Sequence, residues 1–480
     1  MKVVSLSTYS HAGGAALAAA RQHKALLAAG VDSSLLSLHD GGDGRGFYVF
    51  DDAERVAIER RRADLVEAFG VRLNRTQFSD TWFSLPLVST GIANAPLVRQ
   101  ADVIQIHWAS QMVSVNDLAM LTALGKPVIW TLHDEWAYTG GCHYTGGCDQ
   151  YLVGCENCPQ LRADPVGVPG AIHRARCALS QSRQGVIVTP SQWLGERSSG
   201  SPALNHWPHA VIPNTVDTEI FHPRLRNVGR DRLGVESETK CVLFVADAVG
   251  EHRKGLDVLI QAIERIEAES SIGDGIVFIA IGTPSQQLSQ TAGLRVFEHT
   301  PVEEEIASLY AAADVVVLPS REDNLPNIIL EAFSCGTPVI GSRVGGIVDF
   351  VREGESGWLV APDDGEALER AITDSLLDAS KLEMIGRRCR QLAEEEFAYS
   401  VVAERYISLY QSLRVKKEGG ADRWPVHLNQ LDYDAPIMAH AQKLLEFHVW
   451  TTWNRDQKAA GIPPKILEDD EVVANAGEAS

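Results

Sequence analysis

No run in this chain of 480 residues approaches the roughly 18 consecutive apolar residues of a membrane-spanning helix, so no transmembrane segment is read. The opening Met1-Lys-Val-Val-Ser-Leu-Ser7 enters a strand-like pattern directly, without the charged stretch and the roughly 7–15-residue apolar stretch of a secretory signal. The cytoplasm is therefore the expected compartment, and eight cysteines there are thiols or metal ligands before they are disulfides. Basic charge is scarce: 43 Lys and Arg stand against 63 Asp and Glu, for a net charge of −20. That balance argues against a nucleic-acid partner, whose phosphates call for a basic face, while leaving room for a nucleotide bound locally. No repeat of fixed period runs along the chain. The full dinucleotide fingerprint is missing as well. His11-Ala-Gly13-Gly14 follows the first apolar run, but no clear acidic residue closes the second, which lowers a nicotinamide-dependent oxidoreductase reading.

With 45% hydrophobic residues, a chain of this length can fill at least two cores. Apolar runs at Val3–Leu6, Ser34–Leu38, Val103–Ile106, Val128–Leu132 and Val186–Val188 alternate with helical patterns, the signature of a parallel sheet covered by helices. After a polar, charged interval at 223–239 the alternation restarts, with Cys241–Ala246, Ile276–Ile281, Leu294–Phe297, Val315–Leu318 and Val339–Ile340. The expected fold is α/β, with Rossmann-like domains at 1–218 and 219–398 facing across a cleft, because ligands of such sheets bind beyond the carboxyl ends of the strands. A helix follows at 399–413, with Val402, Tyr406, Leu409, Tyr410 and Leu413 on one stripe. Residues 414–480 read as an extra tail, with one short amphipathic helix through Ile437, Leu444, Leu445 and Trp450 and a disordered acidic end.

Four places carry chemistry. In Glu322-Asp323-Asn324-Leu325-Pro326-Asn327-Ile-Ile-Leu-Glu331, Asp323 stands eight residues before Glu331 across a Pro-containing turn. The turn joins the run Val315–Leu318 to a helical pattern, so free backbone N–H groups sit where anions bind, and Glu331 can accept hydrogen bonds from sugar hydroxyls. An acidic turn capping a helix is the plainer alternative. Arg253-Lys254-Gly255 sets two cations at a helix entry, able to neutralise a diphosphate, or a chance Lys-Gly entry. In the first half, Gly13 and Gly14 would let a ligand approach the backbone closely. His133, ending the run Val128–Leu132, would project into the cleft, as a ligand-facing residue or as a satisfied structural one.

In this order, together with Pro213-Asn-Thr-Val-Asp217 at the domain junction, these motifs resemble glycosyltransferase family 4, retaining enzymes of the GT-B fold, in its bacterial polysaccharide-biosynthesis branch. The resemblance covers residues 1 to about 413. It implies a nucleotide-sugar donor and a glycan or lipid-linked acceptor. Glu331 would hold the donor ribose, and Asn324, Leu325, Pro326 and Asn327 the turn around the diphosphate. Arg253 and Lys254 would stabilise the charge on the departing nucleoside diphosphate, beside the glycine loop Gly13-Gly14. His133 and Asp323 would be the catalytic residues, with Asp134 orienting His133 and the terminal helix crossing back to the first domain. Phe297-Glu298 and Leu309–Asp314 match around the nucleobase pocket. The chain departs from the pattern in having Glu322-Asp323 where most relatives have a single glutamate and glycine, and Thr215 in place of glycine. No Asp-x-Asp pair stands out, and Asp363-Asp364-Gly365 is most simply a turn, so no cofactor is expected for catalysis.

Two features lie outside that pattern of site residues. Cys142, Cys148, Cys155 and Cys158 crowd into 17 residues and end in a Cys-x-x-Cys pair. Four thiolates can satisfy a structural zinc, although gaps of five and six residues are not a standard zinc spacing; buried free thiols or labile disulfides are the other readings. Arg55, Arg60, Arg61 and Arg62 precede Leu65, Val66 and Phe69, a pattern for peripheral contact with the inner membrane face or simply for a solvated helix. The expected function is sugar transfer. Its rivals are a nucleotide-sugar epimerase of the same architecture and a non-catalytic subunit of a polysaccharide assembly.

Overall fold

The computed structural model describes residues 1–418 apart from 43, 52–56, 80, 165–166, 249–250, 269–274, 284–292 and 299. Arg55 and the tail beyond residue 418, with its expected helix, lie outside the described residues. The first sheet comprises β1 (Lys2–Ser7), β2 (Asp32–Ser37), β3 (Phe47–Val49), β4 (Val103–Ile106), β5 (Val128–Thr131), β6 (Val186–Thr189) and β7 (His209–Val211), in the order β3-β2-β1-β4-β5-β6-β7. The second comprises β8 (Lys240–Ala248), β9 (Ile276–Thr283), β10 (Leu294–Phe297), β11 (Val315–Leu318), β12 (Val339–Ser342) and β13 (Gly357–Val360), in the order β10-β9-β8-β11-β12-β13. Every ladder in both is parallel. The two-domain α/β architecture expected from the alternation is therefore the one observed.

Parallel strands are covered on both faces, which is why their sequences are nearly continuous apolar runs. Alternation divides each run between two cores. Val4, Leu6, Ile104, Ile106, Val128 and Trp130 pack on one face of the first sheet, and Val3, Val103, Ile129, Val186 and Val188 on the other. Three strands, β3, β7 and β13, were not legible as runs. Each is an edge strand of three or four residues with at most two of them buried, so it carries too little apolar sequence to announce itself.

The helix Tyr399–Glu418 crosses back onto the first domain and buries Val402, Ala403, Tyr406 and Tyr410 against the second face of the first sheet. Leu409 and Leu413 are partly covered, so the expected stripe is the packed one. The Tyr410 hydroxyl donates to Gln105 Oε1 of β4. The arginine-bearing helix Ala57–Gly70 spends Ala63 and Val66 on the first core and leaves Leu65 exposed. Among the described residues no helix is long and apolar enough to cross a membrane.

Strand order reverses between β1 and β4 in one sheet and between β8 and β11 in the other. Such switch points open a crevice beyond the carboxyl ends of the strands. His11 to Gly14 follow β1, His107 follows β4, Arg253 and Lys254 follow β8, and Asp323 to Asn327 follow β11.

Candidate functional site

The two crevices face each other and enclose a cleft of about 870 Å³. Gly13, Gly14 and His133 line it from the first domain; Arg253, Lys254, Asp323, Asn324, Leu325, Pro326, Asn327 and Glu331 line it from the second. The catalytic and donor-site residues named from sequence are thus brought together, and the four cysteines stand elsewhere. Two glycines are dictated by backbone geometry. Gly13 caps the helix Gly14–Ala28 at φ +86°, a conformation L side chains rarely adopt, in open space. Gly255 has φ +72°, and a Cβ there would stand 1.9 Å from the Pro319 carbonyl oxygen, so the turn that presents Lys254 tolerates no side chain at the next position.

The cations are held by carboxylates. Lys254 Nζ lies 2.7 Å and Arg253 Nη1 3.2 Å from Asp323 Oδ2, while Arg253 Nε reaches Glu251 at 2.9 Å. Burial alone would raise the Asp323 carboxyl, but Lys254 and Arg253 bring it below its ordinary value. Asp323 therefore stays ionised and aims both cations, an anchoring task that its spacing from Glu331 did not disclose. The Arg253 guanidinium also sits 4.1 Å above the Tyr144 ring.

Glu331 has a partner no motif announced. Arg21, on the glycine-capped helix of the first domain, is 1% exposed and donates from Nη1 to Glu331 Oε1 at 2.7 Å. Its Nε donates to Glu303 Oε1 at 2.8 Å, and its guanidinium lies 5.0 Å from the centre of the Phe221 ring. Neutral contacts also bridge the domains. Asn324 Nδ2 donates to the His133 carbonyl at 3.2 Å, Ser191 Oγ to Asn324 Oδ1 at 2.6 Å, and Asn327 Nδ2 to the Gly14 carbonyl at 2.8 Å. The Gly146 N–H donates to Glu322 Oε2 at 3.1 Å, and burial beside the Glu135 carboxylate pushes the Glu322 carboxyl up.

His133 Nε2 lies 3.0 Å from His107 Nδ1, with the rings stacked 5.3 Å apart. Burial lowers the His133 imidazole to about 4 and holds that of His107 well below its ordinary value, so both rings are neutral. Asp134 does not orient His133 through the ring, contrary to expectation. Its carboxylate accepts from Trp108 Nε1 at 2.7 Å and from the Trp136 N–H at 2.9 Å, and meets His143 Nδ1 at 2.6 Å. His107 is the residue that touches His133, and sequence reasoning passed over it although it closes β4 much as His133 follows β5.

Cys142, Cys148, Cys155 and Cys158 line one small cavity of about 20 Å³, all as free thiols. Burial, reinforced by the neighbouring sulfurs, pushes Cys155 up to about 12 and Cys158 up to about 11. Among the described residues no group of three or more His, Cys, Asp or Glu side chains is placed to hold a metal ion. The expected zinc ligands thus share a cavity without forming a tetrahedral set. The same loop supplies Tyr144 beneath Arg253 and Gly146 beside Glu322, so its shape bears on the cleft.

Residues 239–378 match the family described as "Glycosyl transferases group 1", the stretch that holds Arg253, Lys254 and the Asp323 to Glu331 turn. The chain is 32% identical over 229 residues to D-inositol 3-phosphate glycosyltransferase 1 of Catenulispora acidiphila, covering 45% of this chain and 53% of that protein. It is also 32% identical over 218 residues to sulfoquinovosyl transferase SQD2 of Arabidopsis thaliana, covering 44% of this chain and 41% of that protein. The chain thus spans about half the length of the curated relatives it matches. The crystal structure of Anabaena Alr3699/HepE in complex with UDP-glucose superposes with a TM-score of 0.58 over 86% of this chain and 100% of the other, at 16% identity. The fold is the GT-B fold.

Proposed function

We propose that this chain is a retaining glycosyltransferase that takes a sugar from a nucleotide-sugar donor and passes it to a glycan or lipid-linked acceptor in bacterial polysaccharide biosynthesis. The observation that carries the reading is the convergence, in one cleft, of Arg253 and Lys254 on the side of the second domain and the glycine-capped helix start at Gly13-Gly14 on the side of the first. Two cations on one wall and the N–H groups of a helix start on the other suit a diphosphate, where negative charge grows as the bond to the sugar breaks. Glu331 offers its carboxylate to the ribose, with Arg21 fixing one oxygen. Two side-chain cations supply the neutralisation that a divalent ion supplies elsewhere, so no cofactor is assigned to the reaction. The UDP-glucose named with the HepE structure supports a nucleotide-sugar donor by likeness of fold. The cytoplasm, at the inner membrane face where lipid-linked acceptors reside, is the proposed location.

Calorimetric titration with a panel of nucleotide sugars tests the assignment. Lys254→Ala should weaken the donor that binds by about 1.5–3 kcal/mol, the worth of a hydrogen bond to a charged group. Unchanged affinity would withdraw the diphosphate site, and conversion of the donor to its epimer without any acceptor would favour the epimerase instead.

For the cysteine lobe the proposal is a structural zinc. Four thiols around one cavity have the right donor chemistry, and the sulfurs would have to draw together to bond the ion. Metal analysis of protein purified without chelator should find about one zinc per chain. A zinc content near zero with four titratable thiols would leave a packed thiol cluster in its place.

A further inference from the structure

We infer that His107 is a positioning residue that fixes the tautomer of His133, so that His133 presents an N–H donor, and not a bare basic nitrogen, to the cleft. The inference rests on the transfer reading for its consequence and on hydrogen-bond accounting for its substance. The His107 main chain is tied into the sheet, its N–H donating to the Leu6 carbonyl at 2.8 Å. Its ring is 1% exposed and meets one ring atom of His133, Nε2, through Nδ1 at 3.0 Å. Its other nitrogen, Nε2, is buried and has no protein hydrogen-bond partner among the described residues.

Two neutral imidazoles at this distance share one N–H···N bond, which leaves two arrangements. If His133 Nε2–H donates, His107 must carry its own proton on Nε2, where a buried donor is left without a partner. If His107 Nδ1–H donates, its Nε2 is a bare acceptor and His133 carries its proton on Nδ1. Orphaned buried N–H groups are the rarer and costlier of the two, so the second arrangement is favoured. Burial, which lowers both imidazoles, keeps a second proton off the pair. His133 lines the cleft, and among the described residues its Nδ1 has no protein partner, so the Nδ1–H is the group it offers a ligand. A neutral donor at that place can hold an oxygen of the sugar while the sugar departs from the diphosphate. It cannot take a proton from the acceptor hydroxyl, which must lose it to another group.

Nitrogen-15 spectra of the imidazoles of the full chain, assigned by difference against His133→Gln, test this without any sugar. The expected wild-type signature of His133 is a protonated Nδ1 and a bare Nε2. His107→Phe should release His133 to the Nε2–H form that free imidazole side chains prefer. His107→Asn, whose amide can stand where Nδ1–H stood, should keep the Nδ1–H form. With a donor and acceptor in hand, His107→Phe should lower kcat about tenfold, the loss of roughly one hydrogen bond, with donor KM little changed, and His107→Asn should restore most of it. A protonated Nε2 on wild-type His133 would overturn the inference, as would unchanged tautomer and turnover in His107→Phe. Should the chain fail to transfer sugar, the wild-type spectrum still decides the tautomer, so the two claims fail separately.

Discussion

Replacing His133 with alanine is expected to lower turnover by about 10²-fold, the scale of losing a group that holds the reacting sugar in place, while donor affinity stays within a few-fold. The division follows from where the contacts lie. The groups assigned to diphosphate and ribose, Arg253, Lys254 and Glu331, belong to the second domain and are untouched by the change. What disappears is an imidazole on the opposite wall, whose interaction counts only when the reacting sugar is held against it. Steady-state transfer assays separate the two parameters. A turnover number within a few-fold of wild type would make His133 a structural residue and return its stacked pair with His107 to the core.

Arg21→Ala is expected to destabilise the protein by about 3–5 kcal/mol, the cost of removing one partner of a buried ion pair. Arg21 is 1% exposed and serves Glu331 and Glu303 together, so its loss takes the shared cation from both and leaves Glu303 only Lys24 at 3.6 Å. Adding Glu331→Gln to Arg21→Ala should recover part of the deficit, because one unpaired charge goes with it. Chemical denaturation of the single and double variants reads both effects. An unfolding midpoint that Arg21→Ala leaves in place would mean that the triad contributes position without stability.

Arg21 also shows where sequence reasoning ends. It and Glu331 are 310 residues apart, and each lies in an ordinary helical pattern, so no local spacing marks them as partners. The motif residues were legible for the opposite reason. Arg253, Lys254 and the Asp323 to Glu331 turn each sit at a strand end in a short segment whose chemistry is concentrated, and two facing sheets bring strand ends together. His107 was within reach. It closes β4, β4 lies beside β5, and β5 leads to His133, so adjacency of the two runs would have paired the rings. Asp134 went the other way: its place next to His133 in the chain invited a pairing with that ring, but the turn after β5 aims its carboxylate at His143 and Trp108.

The crossing helix Tyr399–Glu418 has a consequence for how the protein is made. Val402, Ala403, Tyr406 and Tyr410 complete a layer whose other members, Val3 through Ile212, leave the ribosome long before them. At 5–20 residues per second the gap is roughly ten to forty seconds, during which that face of the first sheet is covered only in part, by Ala25 and Leu26 of the helix Gly14–Ala28. The second domain needs none of those four residues for its two cores and can close while the first is still open. Order of synthesis and order of completion are therefore reversed in this chain: the domain born first is finished last.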